Sequence, residues 1–269
     1  MELRPTTDDD IAGLHAVFVA ALGDLFGRHA FDAPAPPLEA WGNQQRHLIR
    51  TGTSVVADDG GTVVGFGASF TRGDDWFLAS LFVSPETQAR GLGSELLDGV
   101  WGNARRRRTV TDAIQPISNA LYARRGLVPA TPLLTFTGRP SLDRPAEPAD
   151  ADVAAIDAAA YGFDRSVDHA YWSAIARPTT WGDAYSYAFP HGDIGPVAGL
   201  NAAAAARALA AELTRAEGDV RLRIPGSSRL LVELALEAGL RLAPVPGLVL
   251  LSEDAAPPTA LACSGYMLF

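Results

Sequence analysis

The sequence predicts an α/β chain of the α+β kind, built as two like domains in tandem. Each is expected to be a mixed, mostly antiparallel twisted sheet flanked by helices. Three observations predict this. The stretch from Trp76 to Arg107 runs as a buried strand, a glycine turn and an amphipathic helix. The elements up to residue 138 follow the order β-α-α-β-β-β-α-β-α-β. After a proline-rich connection, the second half repeats the close of the first: strand, helix, Gly-Leu, strand.

In order, Met1 to Pro5 supply a short edge strand, and Thr6 or Thr7 caps a helix whose first turn holds Asp8, Asp9 and Asp10. Ile11, Leu14, Val17, Phe18, Ala21, Leu22 and Leu25 give that helix its apolar face. Residues 30–37 carry three prolines and must be a loop, with a second helix over Leu38–Arg50. Strands at Ser54–Ala57 and Thr62–Thr71 flank Asp59-Gly60-Gly61, a hairpin signal. The central strand closes at Pro85, and a helix with Leu92, Leu96, Leu97, Val100 and Trp101 on one face follows. That helix is expected to end in Arg105–Arg108, a solvated end whose cations suit the helix dipole, rather than a phosphate patch. Thr109–Ile114 is the next strand, and a helix through Tyr122 stops at Gly126. Val128–Thr137 reads as a paired strand region broken by Pro129 and Pro132.

Residues 138–150 hold three prolines and no apolar periodicity, and they read as a linker. Beyond it come helices at Ala151–Ala159 and Asp164–Arg177, strands at Tyr185–Phe189 and Ile194–Leu200, and an Ala-rich helix over Ala202–Ala216. Val220–Ile224 is a strand, a helix runs from Ser228 to Gly239, and Pro246–Leu251 is extended. The expected division is 1–138, a linker at 139–150, and 151–269.

Composition narrows the chemistry. With 48% hydrophobic and 20% charged residues, the 269-residue chain can build real cores. A net charge of −9 argues against nucleic acid and suits cationic substrates. Every basic residue is Arg or His, which removes catalytic lysine chemistry. One cysteine excludes an internal disulfide, and five scattered histidines give no metal-ligand spacing, so no metal is expected. Acidic residues stand where a signal peptide would be basic, and no apolar run is read as membrane-spanning, so the expected location is the cytoplasm.

The turn between strand and helix carries the first chemical signal. Backbone N–H groups there converge with the positive end of the helix dipole, and glycine at 91 and 93 keeps side chains off an incoming phosphate. A dinucleotide fingerprint would need glycine at 96, where Leu96 stands; a P-loop would need lysine, which the chain lacks. What remains is Q-x-x-G-x-G, Gln88 to Gly93, after Leu81-Phe82-Val83-Ser84-Pro85.

This string resembles the acetyl-CoA loop of the GNAT acetyltransferase superfamily, and the element order of residues 1–138 is similar to that family's. The later family motif N-x-x-A-x-x-L-Y-x-x-x-G-F is matched at Leu121-Tyr122 and Gly126-Leu127, with Gln115 at the Asn position and Ser118 at the Ala position. The resemblance implies acetyl-CoA as cosubstrate. Gln88, Ala89, Arg90, Gly91, Leu92, Gly93 and Ser94 would hold its pyrophosphate, with a contribution from one Arg of Arg105–Arg108. Leu81, Phe82 and Val83 would pair with the pantetheine arm, an amide of Phe82 or Val83 polarising the thioester. Gln115, Ser118 and Asn119 would line the same arm, and Tyr122 would protonate the departing sulfur. The acceptor pocket is expected near the first two helices, with Phe26, Phe31, Trp41 and Trp76 as aromatic candidates.

The second half resembles a worn copy of the same family. It has no Q-x-x-G-x-G before its Ala-rich helix, and counting back from Gly239 puts Ala235 where Tyr122 stands. It is expected to shape the site rather than catalyse. The general base is not legible: Ala79 and Ser80 occupy the central-strand positions where relatives carry a carboxylate. Asp74 and Asp75 fit a hairpin end better, and the Phe269 carboxylate at the apolar terminus is a further candidate, against its reading as an edge strand completing the second domain. The expected reaction is acetyl transfer to a primary amine of a small molecule by direct attack. A protein or peptide N-acetyltransferase and a non-catalytic acyl-CoA-binding regulatory module are the alternatives. The expected partners are the amine alone, with no nucleic acid and no membrane, and a homodimer as candidate assembly.

Overall fold

The computed structural model describes residues 1–32, 35–88 and 91–269. Contacts gather the chain into two compact units: Met1–Thr71 with Asp75–Arg107, and Arg72–Asp74 with Arg108–Phe269.

In the first unit, β1 (Glu2–Pro5), β2 (Thr53–Asp59), β3 (Thr62–Arg72) and β4 (Asp75–Val83) lie side by side in that order. β1 and β2 run antiparallel, as do β2 and β3, whose two-residue turn places Gly60 and Gly61 at φ +65° and +92°. Helices α1 (Ile11–Arg28), α2 (Leu38–Thr51) and α3 (Leu92–Val100) pack on this sheet. A 3-10 turn at Asp8–Asp10 starts α1, and Thr7 with Asp10 forms a capping box. Asp10 also receives Arg4 at 2.7 Å, and that partner holds its carboxyl low, at about 2.

The stretch Asp8–Arg28 is long and apolar enough to cross a membrane by length and composition, which corrects the expectation that no run reaches that length. In the structure, Ile11, Leu14, Val17, Phe18 and Leu25 of α1 are buried in the first unit. A second correction concerns Arg105–Arg108. α3 ends at Val100, Trp101 is extended at φ −72° and ψ 115°, and Arg106 already opens the next strand. The cause is the aromatic packing of Trp101, 4.8 Å from Trp76, with the Arg107 guanidinium over its ring at 5.1 Å and Arg106 paired to Asp75 at 2.7 Å. These contacts outweigh continuation of a helix through Gly102 and Asn103, both poor helix formers.

The second unit holds β5 (Arg106–Asp112) from Arg108 onward, α4 (Pro116–Ala123), β6 (Val128–Gly138), α5 (Val153–Ala160), α6 (Ser166–Ser173), β7 (Arg177–Thr180), β8 (Ala184–Ala188) and β9 (Asp193–Gly199). It continues through α7 (Ala202–Arg215), β10 (Val220–Pro225), α8 (Arg229–Glu237), β11 (Arg241–Leu242), β12 (Gly247–Leu251) and β13 (Leu261–Ala262). Its strands lie in the order β5-β12-β6-β10-β9-β8-β7, with β11 also on β6 and β13 on β9. Among the described residues, these strands pair antiparallel except β10 with β9.

β12 explains why contacts group residues 108–138 with the C-terminal half rather than with residues 1–107. Its sequence, Gly247-Leu-Val-Leu-Leu, is apolar on both faces, and it lies between β5 and β6, opposite Asp112 on one side and Leu133 on the other. β6 is one continuous strand rather than a broken pair: a register shift at Val249/Leu250 of β12 accommodates Pro129, which has no N–H to give. Arg177, expected at the end of α6, instead begins β7.

The core of the second unit is a layer of alanine and leucine. Ala204, Ala205, Ala208, Leu209 and Leu213 of α7 pack with Leu231, Leu234 and Ala235 of α8 and with Leu222 and Ile224 of β10. Small side chains let α7 lie close on the strands, which turns an alanine-rich sequence into a packed element.

Candidate active site

The glycine turn belongs to the first unit. Gly91 is the N-cap of α3 and sits at φ +85°, a left-handed conformation that glycine adopts without strain. Among the described residues no side chain caps the helix, so its first turn presents backbone rather than a side-chain acceptor. Leu92 and Leu96 anchor the helix beneath, packing with Ala57 and with Leu81 and Val83 of β4. Gln88 does not reach outward: its Nε2 donates to the Val83 carbonyl at 3.2 Å, tying the turn to the strand end. Gly93 and Ser94 follow in the first turn, where Ser94 N–H donates to Gly91 at 2.9 Å. Ala89 and Arg90 lie outside the described residues.

β4 changes character along its length. Asp75 to Ser80 are buried, whereas Leu81, Phe82 and Val83 are only half-buried. The Phe82 ring lies 5.0 Å from Phe18 and 5.4 Å from Phe66. Trp41 joins this cluster at 5.1 Å from Phe18, and its indole N–H is buried without a hydrogen-bond partner among the described residues. Phe31 is exposed just beyond α1. Trp76 sits deep in the core, its indole N–H donated to the Val100 carbonyl at 3.0 Å, and it offers a ligand nothing polar.

The α4 segment belongs to the second unit. Gln115 is the N-cap, Pro116 occupies the first helical position, and Tyr122 is buried at 4% exposure. The Tyr122 phenol is hydrogen-bonded with Ser118, one turn earlier, and burial pushes its pKa up, so it stays protonated. Gly126 then ends the helix at φ +78°, with the Leu127 N–H donating to the Tyr122 carbonyl at 3.0 Å. Gln115 Oε1 and Asn119 Oδ1 are buried without partners among the described residues. Two bare amide oxygens on one helical turn can accept further N–H donors.

The candidate bases fare differently. Asp75 is buried and paired with Arg106, which fits the structural role expected of it. Ser80 is buried, and its hydroxyl has no partner among the described residues. The apolar terminus is buried as expected, and a buried Arg165 donates to the Phe269 carboxyl at 2.5 Å. That guanidinium lies between the rings of Tyr161 and Trp172, at 4.4 and 4.5 Å. The Phe269 oxygen is therefore already engaged by Arg165.

One pair escaped the sequence. Asp112 ends β5, and its carboxyl is hydrogen-bonded by the Tyr266 phenol. The carboxylate stands just before Gln115 and could have been noticed; nothing in the sequence brings Tyr266 to it.

Comparison with known proteins gives a family match and a fold. Residues 16–127 match the model of the Acetyltransferase (GNAT) family. The crystal structure of a Pyrococcus horikoshii protein assigned as an acetyltransferase superposes with a TM-score of 0.78 at 17% identity, covering 100% of this chain and 95% of that one. A GCN5-related N-acetyltransferase from Sphaerobacter thermophilus gives a TM-score of 0.62 at 14% identity, covering 96% of this chain and 97% of that one. At such identities the likeness is one of fold, and it runs the length of the chain. A comparison with the sequences of curated proteins finds no match.

Proposed function

We propose that this protein moves an acetyl group from acetyl-CoA to a primary amine of a small molecule, a reading supported by the match of residues 16–127 to the Acetyltransferase (GNAT) family model. The observation that carries the reading is the uncapped, glycine-opened start of α3 directly after the half-buried end of β4. Backbone N–H groups at Gly91–Gly93, with Ser94 closing the turn, would receive the pyrophosphate, and Leu81–Val83 would lie along the pantetheine arm. The bare oxygens of Gln115 and Asn119 would accept the arm's amide N–H groups. Ser118 then orients the phenol rather than the coenzyme.

In this reading the neutral amine attacks the thioester carbonyl directly, and the protonated Tyr122 phenol delivers a proton to the leaving sulfur. Residues 1–138 would be the catalytic domain, 139–150 a linker, and 151–269 a degenerate copy. Phe31 and Trp41 are the aromatic candidates for the amine's apolar body; Trp76 contributes by packing.

Acetyl-CoA with a panel of small primary amines and, in parallel, N-terminal peptides tests this proposal through release of free CoA. Turnover with amines supports it. Turnover with peptides alone would favour a peptide acetyltransferase, and tight coenzyme binding without any release would favour a non-catalytic binding module.

A further inference from the structure

We propose that Asp112 is the general base of the acyl transfer, taking the proton of the attacking amine, and that Tyr266 positions its carboxylate for that step. The inference rests on the acetyltransferase reading above and adds to it the group that the central strand lacks at Ala79 and Ser80.

Three pieces of geometry point to Asp112. First, it is the last residue of β5 and faces Gly247 of β12 in register. A Cβ on Gly247 would stand 2.6 Å from the Tyr266 hydroxyl, so the missing side chain is the space the phenol occupies. Second, the tail fixes that phenol. Met267, Leu268 and Phe269 are buried, the Ser264 hydroxyl donates to the Leu268 carbonyl at 2.6 Å, and Arg165 holds the last carboxyl. Third, the Asp112 carbonyl accepts the Gln115 N–H at 3.1 Å and Asn119 Nδ2 at 3.5 Å. The residue Asp112 thus stands at the root of the turn that carries the two bare amide oxygens and Tyr122.

The internal repeat isolates the same residues. β5 ends at Asp112 and β10 at Pro225; α4 is capped by Gln115 and α8 by Ser228; Gly126 corresponds to Gly239. The worn copy keeps the glycine and loses the carboxylate, the amide and the phenol together.

Electrostatics fit a proton acceptor. Burial raises the Asp112 pKa to about 6, while the bond from Tyr266 pulls it down. Among the described residues no cation is paired with Asp112, in contrast to Asp75 with Arg106. Arg223 and Cys263 act on Tyr266, and Arg223 is itself engaged by Asp193 at 3.0 Å. A base whose pKa lies near the working pH is the efficient kind.

The step balances as follows. The amine lone pair forms a C–N bond to the thioester carbonyl carbon, and the nitrogen's proton passes to the Asp112 carboxylate. The C–S bond breaks, and the thiolate takes the Tyr122 proton. The Asp112 carboxylic acid returns its proton through solvent to the phenolate, leaving an amide and a thiol.

The test is the pH profile of kcat/KM for the wild type, Asp112→Asn and Tyr266→Phe, with acetyl-CoA binding measured alongside. The wild type should lose activity below about pH 6. Asp112→Asn should fall by about 100-fold and lose that limb, with coenzyme affinity unchanged. Tyr266→Phe removes a bond that favours the ionised carboxylate, so its limb should move to higher pH; a merely structural role would leave it in place. Asp112→Asn with wild-type rate and limb overturns the inference and leaves the acetyltransferase reading standing. Wild type that releases no CoA with any amine overturns both. If Asp112→Asn does not fold, an unmoved limb in Tyr266→Phe is decisive against the proposal.

Discussion

Gly91 opens α3 and Asn201 opens α7, and the two starts differ in the one property that matters for an anion. At Gly91 no side chain among the described residues caps the helix. At Asn201 the side-chain oxygen accepts the Ala204 N–H at 3.0 Å, and the Gly199 N–H donates to Ala260 at 3.2 Å. Asn201 supplies from inside the chain the acceptor that a phosphate oxygen would supply from outside. The helices that follow later show the same relation. Leu127 N–H meets the Tyr122 carbonyl at 3.0 Å and Leu240 N–H meets the Ala235 carbonyl at 3.1 Å, with Gly126 and Gly239 at φ +78° and +80°. The two helix ends share this hydrogen bond and differ in the side chain at its acceptor, Tyr122 in one and Ala235 in the other.

That contrast can be broken in several places. The largest effect is expected at Gly91. Gly91→Val forces a β-branched residue to φ +85° and puts its side chain over the first turn of α3. Coenzyme affinity should fall by about 100-fold or more, about 2.7 kcal/mol, while circular dichroism shows the fold intact. Retained affinity would move the phosphate site elsewhere.

Next is the phenol. Tyr122→Phe should lower kcat about 100-fold with little change in acetyl-CoA affinity. An equal loss of binding would make the residue a structural one, as its counterpart Ala235 is.

Third is a pH effect tied to Asp112, whose counterpart is Pro225. Its folded pKa, about 6, lies above the ordinary carboxylate value. Between about pH 4 and 6 the folded chain therefore holds the extra proton, and stability falls as pH rises through that window. The change is on the order of 2 kcal/mol, and Asp112→Asn should remove it from denaturant titrations run across that range. Arg4 and Asp10 contribute in the opposite sense: the Asp10 value of about 2 means stability present above about pH 4 and lost as pH falls further.

The smallest expected effect is at Asn201. Asn201→Ala should cost about 1 kcal/mol of stability in a thermal or denaturant melt and leave coenzyme binding untouched. A loss of affinity there would contradict the idea that the second turn is closed.

Much of this was legible in the sequence because the signals are local. Gln88 to Gly93, the apolar face of α3 and the Tyr122–Gly126 spacing all lie within a few turns of chain, where periodicity and glycine have direct conformational meaning. What was missed is long-range. The insertion of β12 between β5 and β6 depends on pairing with strands more than a hundred residues earlier, and alternation of apolar residues cannot name a partner. Arg106–Arg108 looked like a helix end because cations suit one; the ring of Trp101 under Arg107 and the charge of Asp75 beside Arg106 fit a strand instead. Trp76 looked like a pocket residue until its N–H was found on Val100. The Asp112–Tyr266 pair was invisible for the same reason as β12, since only the fold brings the tail to the end of β5.

Titration calorimetry of the whole chain with acetyl-CoA tests the central claim most directly. The contrast between the two turns predicts one binding site per chain, abolished by Gly91→Val and unaffected by Asn201→Ala. No heat with the wild-type chain, or two equivalent sites per chain, would contradict it.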